Sequence, residues 1–229
     1  MKTANARITL ICVAQLLIWG GGSAPGLAAP VQNNPSKNYV AVLPKPAPLP
    51  PVALTNHHGE TFTLSEFKGR NLLVFFGYTH CPDACPATLT LIRAAFQRHP
   101  ELLANSQLIM ISLDPWRDTP STLNDFITYF NPAFIAATGT TEALQKLVTA
   151  MGGRVEYIDA ATGKPLSSAD IKTTRDYYLN HTPGIYVINP FGELYGYIVP
   201  STDTDQFADG LATLFAKMPQ SKALTQQTD

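Results

Sequence analysis

The sequence of 229 residues predicts an α/β fold, with a sheet sandwiched between helices. Three observations predict it. Residues 72–77 are a continuous apolar run, the pattern of a strand covered on both faces, and the apolar run at 108–113, broken only at Ser112, reads as a second buried strand. Each run precedes apolar residues at helical spacing: Cys85, Leu89, Ile92 and Phe96 after the first, and Leu123, Phe126, Ile127 and Phe130 after the second. A hairpin and a closing helix then end the chain, at residues 185–199 and 204–218.

Taken in order, Lys2 and Arg7 precede an apolar run at 8–19 and small residues at 20–29, the layout of a secretory signal peptide. A run of about twelve residues falls short of the roughly twenty that span a bilayer. An uncleaved N-terminal membrane anchor is the competing reading, and on either one the body is exported. Cys12 sits inside this run and is read as apolar filler. Residues 30–51 are rich in proline and read as an extended linker, or stalk, leaving a folded domain at 52–218 and a polar tail at 219–229. With 45% apolar and 14% charged residues the chain can bury a full core. A net charge of -1 provides no basic footprint, which argues against nucleic acid as a partner.

Within the domain, residues 52–54 and 61–64 flank the turn Asn56-His57-His58-Gly59 and predict a small N-terminal hairpin. After the second apolar run, Thr119 and Pro120 form a capping residue and a proline at the first helical position. Residues 134–137 predict a short strand, 140–151 a helix closed by Gly152 and Gly153, and 154–158 a further strand. Residues 160–176 read as a polar excursion.

The stretch from Tyr78 to Pro86 (YTHCPDACP) lies where the first apolar run meets its helix. Cys81 and Cys85 are four apart, so their sulfurs can reach bonding or chelating range. Taking Pro86 as the first helical residue makes Cys85 the cap and leaves Cys81 in the loop. The helix start favours thiolate, while Asp83 opposes it. A structural disulfide is the plain reading in an exported domain. It would close so short a ring that its entropic gain is small. Redox or soft-metal chemistry is the alternative, and two thiolates with an imidazole suit copper.

Five histidines could supply that imidazole. His57 and His58 read as exposed turn residues. His99 reads as a partner for the last carbonyls of the first helix. His80 adjoins Cys81 but should point away from it, an outer neighbour at best. His181, just before the strand at 185–189, could meet the thiols if the fold returns it to their rim. A lone histidine there is also commonly an ordinary loop residue.

Three segments, VFFGYTHCPDACPATL, ISLDPWRDTP and NHTPGIYVINPFGEL, resemble in order the signature segments of the Sco (SenC-like) family. That resemblance implies a thioredoxin-like fold: a central mixed sheet with helices on both faces and an N-terminal hairpin extension. It also implies copper, as Cu(I) or Cu(II), held by Cys81, Cys85 and His181, with Cys81 and Cys85 doubling as a redox-active pair. The implied role is a metallochaperone in cytochrome c oxidase assembly, periplasmic or otherwise extracytoplasmic. It would be a monomer at or tethered to the membrane, and its partner the oxidase Cu(A) subunit or another copper chaperone. Asp114, Arg117 and Asp118 resemble the family's DPxRDTP loop, although they need only cap a helix and pair charges. Trp116 could offer a partner an exposed apolar contact.

Two departures stand out. Asn180 replaces the usual acidic residue before the histidine and removes a charge that could orient the imidazole. Pro183 resembles the strand-entry proline of thioredoxin-like reductases, which predicts a cis Thr182–Pro183 bond and a weight on thiol exchange. The rival function is therefore a thiol-disulfide oxidoreductase acting on client disulfides, with Cys81 as attacking thiol and copper incidental. A thiol peroxidase is disfavoured, because Thr79 lies two residues before Cys81 where those enzymes use a Thr-x-x-Cys spacing.

Overall fold

The computed structural model describes residues 39–167, 169–199 and 202–218. The leader with Cys12 and the tail 219–229 lie outside the described residues. β1 (Tyr39–Pro48) leads into the hairpin β2 (Leu54–Asn56) and β3 (Thr61–Phe62). Two strand–helix units follow, β4 (Asn71–Gly77) with α1 (Ala84–Arg98), then, after the short α2 (Pro100–Ala104), β5 (Ser106–Ser112) with α3 (Pro120–Phe130). β6 (Ile135–Thr138), α4 (Thr141–Ala150), β7 (Val155–Asp159), β8 (Tyr177–His181), β9 (Ile185–Ile188), β10 (Glu193–Val199) and α5 (Thr204–Lys217) complete the order.

Eight strands form one mixed sheet in the order β1-β10-β9-β4-β5-β6-β2-β3. β4, β5 and β6 run parallel, while β9 joins β4 antiparallel and β2 joins β6 antiparallel. β4 and β5 are buried at every residue, their apolar runs together with the polar Asn71, Ser106, Gln107 and Ser112, so elements cover both sheet faces there. This is the expected α/β, thioredoxin-like architecture, with the β2–β3 hairpin as the edge extension. α1 turns Cys85, Leu89, Ile92 and Phe96 inward, and α5 buries Phe207, Leu211, Leu214 and Phe215. Burying one such side chain contributes about 1.5–3 kcal/mol, so these stripes dock the helices far more strongly than propensity could. Thr119 and Thr140 cap α3 and α4, accepting from Thr122 N and Ala143 N. No helix among the described residues is long and apolar enough to cross a membrane.

Three expectations need correction. The proline-rich segment is not all stalk, because residues 39–48 form β1, paired with β10 from Tyr39↔Val199 to Pro48↔Glu193 with a register shift between Val42 and Ala47. Prolines at 44, 46 and 48 remove donors from one side of a strand only, and an edge strand has one side that needs none.

The cis bond at Pro183 is also overturned: no cis peptide occurs among the described residues. The chain reverses into β9 through Gly184, at φ +115°, while Thr182 N–H donates to the Arg154 carbonyl and the Tyr197 hydroxyl donates to the Pro183 carbonyl. A side chain at Gly184 would meet the Tyr197 ring at 2.5 Å. Gly184→Ala is therefore expected to lower stability by about 1–3 kcal/mol or more, read as a denaturant midpoint. An unchanged midpoint would show that the turn is not constrained in this way.

Finally, His181 does not sit in a loop. It ends β8, a strand hidden in the tail of the polar excursion, which pairs with β7 in a separate two-stranded sheet from Val155↔His181 to Asp159↔Tyr177.

Candidate metal and thiol site

α1 starts at Ala84, two residues earlier than expected, with Asp83 as a cap whose side chain makes no capping bond. Pro86 is then the third helical residue. It is tolerated because N–H groups in the first turn have no intrahelical acceptor to lose. The sulfur of Cys81 occupies that capping role instead. Its acidity is increased first by a hydrogen bond from the Cys85 thiol and then by the backbone N–H groups of Cys85, Asp83 and Ala84, against an opposing desolvation. These bring it to about 5 from an ordinary 9.0. Cys85 moves the other way, because it donates to Cys81 and is buried. Both cysteines are free thiols, Cys81 half-buried and Cys85 buried. Gly77 permits this packing, since a β-carbon there would stand 3.0 Å from the Cys85 sulfur.

The turn after β5 braces this loop. Asp118, fully buried, accepts from Thr79 N at 2.9 Å, Thr79 Oγ1 at 2.6 Å and Ser112 Oγ at 2.5 Å. Because Thr79 Oγ1 donates to Asp118, it accepts from His80 Nδ1 at 3.1 Å. Asp114, equally buried, accepts from Arg117 Nε at 2.5 Å and from the Tyr177 hydroxyl at 2.6 Å. Ligand atoms of His80, Asp114 and Asp118 all lie within 4.8 Å of one another. Their carboxylate oxygens are already engaged by donors and by the Arg117 cation, so the cluster is a hydrogen-bonded bracket and not a hard-cation site. Its role is accordingly larger than the capping and charge pairing that the sequence alone required.

β8 crosses close to the thiol loop. Its burial alternates, so Tyr177 and Leu179 face the protein, Tyr178 and Asn180 face outward, and His181 is half-buried on the inward side. Leu179 N–H reaches the Tyr78 hydroxyl at 3.4 Å, linking β8 to the residue that opens the thiol loop. His181 Nδ1 lies 3.1 Å from the Thr182 carbonyl, an atom that only accepts, so Nδ1 carries the proton and Nε2 keeps the free lone pair. The structure thus brings Cys81 and Cys85 together. It carries His181 on a strand bonded to Tyr78 at the start of their loop, but the three do not form a cluster within 4.8 Å among the described residues. Asn180 lies on the opposite face from the imidazole, so it cannot stand in for an orienting carboxylate there. Pro183 is trans, in the turn that follows.

Two other histidines, His57 and His99, differ from expectation, while His58 is exposed as expected. His57 is buried, with its Nδ1 3.2 Å from both the N–H and the carbonyl of Ala136; burial lowers its pKa. His99 contacts Glu101 and Asp209 at 3.1 and 3.0 Å and serves the α1–α5 junction, not the helix carbonyls. Trp116 packs against the core with its indole N–H buried, under Lys172 at 5.5 Å, so it is no free apolar contact. Tyr177 was not foreseen as a site residue. The signal for it was the alternation of inward Tyr177 and Leu179 with polar Asn180, easily lost at the end of a polar excursion.

A family description, SCO1/SenC, matches residues 44–216. A candidate copper-binding protein of Stutzerimonas stutzeri is 34% identical over 160 residues, covering 69% of this chain and 72% of that protein. The mitochondrial SCO1 homolog of Homo sapiens is 32% identical over 165 residues, 71% of this chain but 51% of the human one; this chain spans about half the length of that relative. The structure of Bradyrhizobium japonicum ScoI with copper bound superposes with a TM-score of 0.59 at 26% identity, covering 76% of this chain and all of that one (100%). Fold, motif order and these likenesses agree: the chain belongs to the SCO1/SenC family.

Proposed function

We propose that this protein is an exported copper metallochaperone that receives one copper ion on Cys81, Cys85 and His181 and hands it to the Cu(A) subunit of cytochrome c oxidase. Residues 1–29 act as its signal peptide or membrane anchor, and the domain works as a monomer on the outer side of that membrane. The observation that carries this reading is the pair of free sulfurs at one helix start, one of them held as thiolate. Soft sulfur donors with a single imidazole suit Cu(I) and tolerate Cu(II). His181, with its lone pair on Nε2, is the third donor that the nearby strand offers. The test is a competition titration of the full chain, reduced, with Cu(I) and a chromophoric chelator. One equivalent is expected to bind, and His181→Ala is expected to weaken it at least about tenfold, or 1.4 kcal/mol. Unchanged affinity in His181→Ala removes the histidine from the site.

A second reading, thiol-disulfide reduction, is favoured by the asymmetry of the pair. The more exposed and more acidic Cys81 attacks a client disulfide, forming a mixed disulfide and expelling one client thiolate. Buried Cys85 then loses its proton and attacks the Cys81 sulfur, which releases the second client thiolate and leaves Cys81–Cys85 oxidised. On that reading Cys85→Ser traps the mixed disulfide with a cysteine-rich client, and His181→Ala leaves turnover intact.

A further inference from the structure

Among the described residues β8 has one ladder neighbour, β7, and the pair is not hydrogen-bonded into the main sheet. Backbone pairing within the main sheet fixes where β4 and α1 hold the thiols, but β8 is paired only with β7 and joins that sheet through the turn 182–184 into β9. Side chains from the turn after β5 grip its other end. Arg117 Nη1 donates to the Arg175 and Tyr177 carbonyls at 3.1 and 3.0 Å, its Nε donates to Asp114, and its guanidinium lies 3.8 Å over the Tyr177 ring. The Tyr177 hydroxyl closes the loop on Asp114. On β7, the Tyr157 hydroxyl donates to the Leu113 carbonyl at 2.6 Å. The gripped positions 175, 177 and 179 have the period of a strand, and 181 is the next member of the series. A slip of one residue would turn the imidazole outward.

We propose that Arg117 and Tyr177 are positioning residues, a latch on Asp114 that sets the register of β8 over the thiol loop and thereby aims His181 at the two sulfurs. The proposal rests on His181 as a copper ligand, and adds the means by which a strand outside the main sheet is held to that task. Asp118 does the same for the other half of the site, so the two aspartates of one turn, four residues apart, hold the thiol loop and the histidine strand in a common frame.

Tyr177→Phe keeps the ring and deletes one hydroxyl; Arg117→Lys keeps a cation and deletes the fork. Two measurements on the full chain decide the matter. In reduced protein, Tyr177→Phe is expected to weaken Cu(I) binding several-fold in the wild-type background and less than about twofold in His181→Ala, since only a path through the histidine is cut. Its Cu(II) thiolate absorption and EPR spectrum should shift toward those of His181→Ala, and Arg117→Lys should follow. Where His181→Ala itself weakens copper, equal losses of Tyr177→Phe in both backgrounds, or none in either, overturn the proposal. In metal-free protein, amide exchange at Leu179, whose N–H donates to the Tyr78 hydroxyl, should accelerate at least about tenfold in Tyr177→Phe while β4 stays protected. Unchanged exchange at β8 overturns the latch whatever copper does. Accelerated exchange alongside copper-silent His181→Ala would sustain the latch and refute the ligand assignment on which it was built.

Discussion

Cys85→Ala is expected to raise the pH midpoint for alkylation of Cys81 from about 5 toward the ordinary 9.0 and to reduce copper uptake by on the order of a thousandfold, about 4 kcal/mol. The main stabiliser of the Cys81 thiolate is a proton donor, the neighbouring thiol, and alanine deletes it. The backbone N–H groups of the α1 start remain, so the midpoint should stop short of 9.0. Cys85→Ser makes the sharper control. It retains a donor and should keep most of the low midpoint, yet it loses a soft ligand and should lose copper as badly as alanine does. Iodoacetamide rates followed from pH 4 to 10, beside the copper titration, separate the two effects. The rate should rise through the midpoint and level off above it, because thiolate is the reactive form. A midpoint that does not move in Cys85→Ala would falsify the hydrogen-bond account of the acidity.

Asp114→Ala is expected to be the most destabilising single change in the turn after β5, at about 3–5 kcal/mol. Asp114 is fully buried and the Arg117 side chain nearly so, and removing the carboxylate leaves the guanidinium without its counter-charge in a low-dielectric setting. The Tyr177 hydroxyl loses its acceptor in the same step, and burial already holds that phenol in its protonated, donating form. Replacing Asp114 and Arg117 together by apolar residues of similar volume should cost much less, since no charge is then stranded. Urea unfolding of the two variants tests this. Equal losses in the single and double variants would show that the ion pair does not carry the effect.

Much of the fold was legible because the core is periodic. The buried apolar residues of β4 and of β5, and the inward stripes of α1, α3 and α5, appear in the sequence as runs and as helical spacing. β1 and β8 were missed for different reasons. In β1 the prolines obscure a strand that survives only because it lies at an edge. In β8 the signal is five residues long and ends a polar segment, and the strand exists because β7 and the Arg117 latch hold it. The thiol pair and its helix were likewise readable, but the first helical residue was not. A proline three residues into a helix costs no bond when those N–H groups have no partner to lose.

By itself the sequence determined the α/β class, the two thiols four apart at a strand-to-helix corner, and the order of motifs that marks the family. Those depend on local spacing. Only the tertiary structure decided which sulfur is the acidic one, that Pro183 is trans, and that His181 ends a strand tied to Tyr78 instead of lying in a loop. The last two turn on partners distant in sequence: the Thr182 amide on the Arg154 carbonyl, Asp114 on Tyr177, Leu179 on Tyr78. A residue pattern encodes which face is apolar, but a hydrogen bond across 60 or 100 residues exists only once the core has brought its two ends together.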